Sequence, residues 1–156
     1  MADGPTDVPV VMRRFVLALV AFGLIGSGAE LLLLEHYEDS WQLVPLFLIV
    51  LTLGAIAVHL LAAGAGSVYG LRVLMSALVL AGAVGVSLHY RGNLEFQLEM
   101  DATQSGWPLF MKAIRAKTPP ALAPGVMAQL GLLGLAYTYR HPALGRGTPA
   151  HRRRSP

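Results

Sequence analysis

Four long apolar runs, parted by two short intervals and one long one, make up most of this chain. They cover about 13–35, 41–63, 69–90 and 119–140, and each is close to the ~20 residues that carry an α-helix across a bilayer. Within the first run Gly23, Gly26, Ser27 and Glu30 recur at i, i+3, i+4 and i+7, the spacing of one helix face. Small residues on a stripe let a second helix approach closely. Glu30 falls about five residues inside the polar edge, hence roughly 7 Å deep at the helical rise. A carboxylate at that depth is expected to turn into the bundle rather than toward lipid. Arg13 and Arg14 before the run give it the look of a secretory signal, but its apolar core is too long and continues through Leu31–Leu34. A retained first span is the expectation.

The connections are equally legible. Glu35–Ser40 predicts a tight polar turn in which Asp39 or Ser40 caps the second helix. The Gly-rich stretch Gly64–Gly70 predicts an antiparallel pair of second and third helices. Ala81, Gly85, His89 and Asn93 recur every four residues, so the third helix is expected to continue outward to about Met100 and to break over Asp101–Gly106. Trp107, Phe110, Met111 and Ile114 then share a face from which Lys112 and Arg115 are excluded. That predicts a short helix lying on the outer interface. Thr118 is expected to cap the last span, which Pro119 and Pro120 open.

The expected fold class is therefore all-α: a four-helix transmembrane bundle with an interfacial helix in the outer 3–4 connection. A mobile arm over 1–11 and a basic, disordered tail over 142–156 flank the single membrane domain, 12–141. Composition agrees: 54% of the residues are hydrophobic and 13% charged, against about 25% charged in an ordinary soluble domain. The pI near 9.6 does not point to nucleic acid, because the basic residues lie beside the spans and form no folded face. With both termini inside, the inner segments hold Arg13, Arg14, Arg72, Arg140, Arg146 and Arg152–Arg154, and the outer ones only Arg91, Lys112, Arg115 and Lys117. This bias places both termini in the cytoplasm. Cysteine is absent, which excludes disulfides, thiolate ligands and thiol nucleophiles.

Candidate chemistry gathers at the outer face, where Glu30, Glu35, His36, His89, Glu95 and Glu99 are expected to lie near one another. Carboxylates with imidazoles can hold a divalent metal or relay protons. No HxxxH, HExxH or ExxH pair fixes two ligands on one helical turn, so the metal is left open. His36 with His89, and His59 with His141, would also give one imidazole pair per leaflet for haem. Ser27 and Gln129 are expected as polar helix-packing residues, with Glu30 or Ser87 as a partner for Gln129. No phosphate loop, nucleotide fingerprint or nucleophile–base arrangement is present, and no catalytic residue is assigned.

The runs AELLLLEHYED (29–39), QLVPL (42–46), LHYRGNLEF (88–96) and GLAYTYRHPAL (134–144) resemble a set of small bacterial four-span proteins. The resemblance covers most of the chain outside the tails. It implies a bacterial inner-membrane location and carries no activity. The functional expectation is a non-enzymatic accessory or scaffold subunit, with no cofactor. Its partners would be the lipid bilayer and another membrane protein or a second copy. The alternative is a metal, haem or proton-binding site at the outer face, with a redox or transport role.

Overall fold

The computed structural model describes residues 8–117 and 120–145. Five α-helices follow one another: α1 (Val8–Leu33), α2 (Ser40–Leu61), α3 (Ala65–Met100), α4 (Gly106–Ile114) and α5 (Gly125–Thr138). A 3-10 turn, η1, closes the described chain at Pro142–Leu144. There is no strand among the described residues. Three helices, α1, α2 and α3, are long and apolar enough to cross a membrane, with mean hydropathies of 2.1, 2.5 and 2.0. Their outward faces carry large bare side chains such as Phe22, Phe47, Val50, Leu61, Val73 and Leu80. Such surfaces suit lipid and not water, so the chain has the build of a membrane protein.

α1 begins at Val8, inside the stretch expected as a mobile arm, and α3 begins at Ala65, ahead of the third expected span. The rest of the arm, 1–7, together with the expected cap Thr118, Pro119 and the arginines of the tail, falls outside the described residues. α3 continues to Met100 as its pattern predicts. Asp101 then ends it by an Asx-type turn: its Oδ1 accepts from the Thr103 backbone N–H at 3.0 Å and from the Thr103 hydroxyl at 2.6 Å. Those bonds hold the Asp101 carboxyl below the usual carboxylate range. α4 packs back on α3, burying Leu109 and Ala113, and Asn93 Nδ2 donates to the Ala113 carbonyl at 3.2 Å. Trp107 remains exposed and stacks on Phe110 with ring centroids 5.1 Å apart.

α1, α2, α3 and α5 form a closed ring. α1 packs on α2 and α5, and α3 packs on α2 and α5. Arg13, near the start of α1, bonds to the end of α5, and Arg72, near the start of α3, bonds to the same end. Every neighbour in the ring is thus antiparallel. In lipid the hydrophobic effect does not drive helices together, so close packing and hydrogen bonds must do so. The α3–α5 seam shows how. A Cβ added to Gly82 would lie 2.6 Å from the Ala128 backbone nitrogen, and one added to Gly131 2.5 Å from the Met75 carbonyl oxygen. Glycine is required at both because the opposing backbone fills the space. The core between the helices is Leu17, Val20 and Leu24 of α1, Ile49 and Ile56 of α2, Leu71, Met75 and Leu78 of α3, and Met127, Leu130 and Tyr137 of α5.

The first-helix stripe meets its expectation only in part. Gly23 faces Leu130 of α5, whereas Gly26 faces open space. Glu30 is exposed and does not turn into the bundle. The reason is one of level. Arg13 and Arg72 stand at the same end of the bundle, and Glu30 and His89 are each 17 residues further on, about 25 Å at the helical rise. Glu30 is therefore level with His89, at the same end of the ring as the other described acids. Gln129 of α5 is exposed as well, and Ser87 bonds to the Ala83 carbonyl of its own helix, so neither Ser87 nor Glu30 serves it. Ser27 is half-buried and makes no hydrogen bond among the described residues.

Candidate functional site

The two ends of the ring differ in chemistry. Among the described residues one end carries Arg13, Arg14, Arg72 and Arg140 and no acid. The other carries all the described acids, Glu30, Glu35, Glu38, Asp39, Glu95, Glu99 and Asp101, with Arg91, Lys112, Arg115 and Lys117.

At the basic end a helix terminus has to be satisfied. The last carbonyls of α5 have no helical partner. Arg13 Nη1 donates to the Tyr137 carbonyl at 2.7 Å and Nη2 to the Arg140 carbonyl at 3.3 Å. Arg72 Nη2 donates to the Thr138 carbonyl at 2.8 Å and Nε to its hydroxyl at 3.3 Å. Cations here also oppose the negative end of the α5 dipole. Arg140 itself turns the chain with a φ of 45°.

Beneath these arginines lies a buried hydrogen-bonded chain. His59, 2% exposed, places Nδ1 2.7 Å from Ser67 Oγ and Nε2 2.7 Å from the Tyr137 hydroxyl. The proton positions follow from counting donors. Ser67 Oγ receives the Gly64 N–H at 3.1 Å and can donate to the Gly64 carbonyl at 3.0 Å. With that proton so placed, Ser67 accepts from His59 Nδ1–H, and His59 Nε2 accepts from Tyr137 O–H. Every hydroxyl and ring N–H then has an acceptor, whereas the other tautomer leaves the Tyr137 proton without one. The His141 ring packs on both, 5.3 Å from the His59 centroid and 5.3 Å from that of Tyr137. The sequence pairing of His59 with His141 is thus met in space. It does not suit haem: both His59 nitrogens are already bonded, and rings this close leave no room for a porphyrin between them.

At the acidic end the second pairing is also met. His36 and His89 come together with ring centroids 6.2 Å apart at an interplanar angle of 67°. His36 is placed by the end of α1, which closes in a Schellman motif. The His36 N–H bonds to the Leu31 carbonyl at 2.9 Å and the Glu35 N–H to the Leu32 carbonyl at 3.1 Å. Glu35 takes the left-handed position, φ 53°, that glycine usually fills. Asp39 then precedes α2, and Gln42 Oε1 accepts the backbone N–H groups of Glu38 and Asp39 at 2.9 and 3.2 Å. His89 is held from the other side, its Nδ1 3.0 Å from the Pro120 carbonyl oxygen.

The acids do not join this pair into one cluster. Glu30, Glu35, Glu95 and Glu99 are exposed, and no three His, Asp or Glu side chains converge as a ligand set among the described residues. Sequence reasoning also missed that Ser67, Arg13, Arg72 and Thr138 complete the basic-end network. The available signal was position: Ser67 starts α3 across a short turn from His59, and Arg13 and Arg72 each fall within about the first two turns of a helix antiparallel to α5. The chain was compared with models of known protein families, with curated proteins and with solved structures, and none of them matches it.

Proposed function

We propose that this chain is a four-span protein of the bacterial inner membrane, with both termini cytoplasmic, acting as a non-enzymatic accessory or scaffold subunit against another membrane protein. α5 is only 14 residues long, but with the turn before it the segment travels as far as α3 does from Arg72 to His89. Arg72 meets Thr138 at one end and His89 meets Pro120 at the other. That distance, about 25 Å by helical rise, approaches the ~30 Å hydrocarbon thickness. The arginine-only end is the cytoplasmic one by the positive-inside bias. α4, with exposed Trp107 and basic Lys112 and Arg115, sits at the outer interface in this reading.

The observation that carries the subunit reading is Gln129. It stands mid-way between Pro120 and the end of α5, exposed, without a partner among the described residues. An amide facing hydrocarbon alone costs on the order of several kcal/mol, and a neighbouring helix that hydrogen-bonds it removes that cost. Leu122, Val126, Leu132 and Leu133 of the same segment are also exposed and would supply packing around it. The test is purification of the full chain from native membranes in mild detergent, with mass measurement of the particle. A stoichiometric second membrane protein that is lost on Gln129→Leu is expected. A solitary monomer for both forms overturns the reading. Alkaline phosphatase fused to either terminus should be inactive; activity at either end overturns the orientation.

A further inference from the structure

We propose that His36 and His89 form a two-imidazole site for a borderline first-row divalent cation, Cu(II) or Zn(II), at the acidic end of the bundle. The site stands apart from the subunit reading and does not depend on it.

Three observations point there. The first is reach. With metal–nitrogen bonds of about 2.0–2.1 Å, one cation shared by two imidazoles holds their centres on the order of 5–6.5 Å apart, and the observed separation is 6.2 Å. The second is the tautomer. The Pro120 carbonyl oxygen can only accept, so the proton of neutral His89 sits on Nδ1, and Nε2 keeps its lone pair. A ring N–H given to a backbone carbonyl is the usual outer support of a metal-ligating histidine; it fixes the ring and raises its basicity. His36, for its part, has no hydrogen bond among the described residues to occupy its nitrogens. The third is rigidity. His36 follows a helix end locked by two backbone bonds, with Glu35 held in a left-handed conformation a non-glycine residue seldom adopts. His89 is on a continuous helix.

Two nitrogens leave the remaining positions to water. Imidazole donors select copper and zinc over magnesium and calcium. Seven acids against four bases among the described residues at this end of the bundle favour a cation there without ligating it.

The experiment uses the tag-free, full-length protein in detergent, titrated calorimetrically with Cu(II) and with Zn(II), with electron paramagnetic resonance of the copper form. One cation per chain, a copper spectrum showing nitrogen ligation, and a rise in melting temperature on metal addition are expected. His36→Asn and His89→Gln should each weaken binding by roughly tenfold or more. Circular dichroism and a monodisperse detergent particle check that each variant is folded. Glu99→Gln, remote on the α3 extension, should leave binding unchanged and guards against a general charge effect. No one-to-one binding up to high-micromolar metal overturns the proposal. So does binding of undiminished affinity in the folded His36→Asn, His89→Gln double variant.

Discussion

His59 Nε2 and the Tyr137 hydroxyl meet at 2.7 Å across 78 residues of sequence, and the bond joins α2 to α5, which face each other across the ring. Because the site is buried, its worth lies less in the bond itself than in what is left when one partner goes. Tyr137→Phe strands a buried ring nitrogen and is expected to cost about 1–3 kcal/mol. His59→Leu strands the phenol instead. The double variant should cost less than the two singles together, with a coupling of about 0.5–3 kcal/mol. Reversible unfolding in detergent measures all four forms; strict additivity would show that the bond contributes nothing.

The α3–α5 seam allows a sharper contrast. Gly131→Ala drives a methyl into the Met75 carbonyl oxygen and the Val79 backbone nitrogen, neither of which can move without moving α3. A loss of about 1–3 kcal/mol is expected. Gly26→Ala meets nothing within 4 Å and should be neutral or stabilising by up to about 1 kcal/mol, through helix propensity alone. Equal effects at the two sites would mean that the seam is not as tight as described.

Thr52 offers a gain. Its Oγ1 is buried and has no hydrogen-bond partner among the described residues. Thr52→Val keeps the shape and removes the unsatisfied hydroxyl, so stability should rise by about 1 kcal/mol. A fall in melting temperature would instead reveal an ordered water held by that hydroxyl.

Acid should loosen the basic end. His141 lies beyond the end of α5, and burial, with the positive charges of Arg13 and Arg72, holds its imidazole below the usual 6.5. The unfolded chain therefore takes up this proton at a higher pH than the folded one. The contribution is present above about 6.5 and is lost as pH falls through the folded value. His141→Asn keeps an acceptor for the Ala143 N–H, which His141 Nδ1 receives at 3.2 Å, but cannot titrate. Its melting temperature should stay flat across the window in which the parent declines.

Helix placement was legible because apolar run length and turn chemistry are local. Asp39 before α2, the break after Met100 and the pairs His36–His89 and His59–His141 all follow from spacing along the chain. Facing was not. Glu30 was assigned inward by its depth below Glu35, and that depth assumed Leu31–Leu34 lay within the bilayer. The structure leaves Glu30 exposed at that end of the ring, so the inward facing fails. Gln129 was expected to find a partner inside because a mid-span amide needs one, and sequence cannot say whether that partner belongs to the same chain. The arginine caps on α5 were missed because they depend on which helices become neighbours.

Those caps carry a consequence for biogenesis. The guanidinium of Arg13 emerges long before the carbonyls it clasps, which lie at and just past the end of α5, 124 and 127 residues later. Until α5 arrives, the glycine-lined flank of α3 has no occupant and the ring stands open along one side. The ring therefore cannot close helix by helix as α1, α2 and α3 are made; it waits for α5, and a chain stalled before it would present that open flank to quality-control proteases.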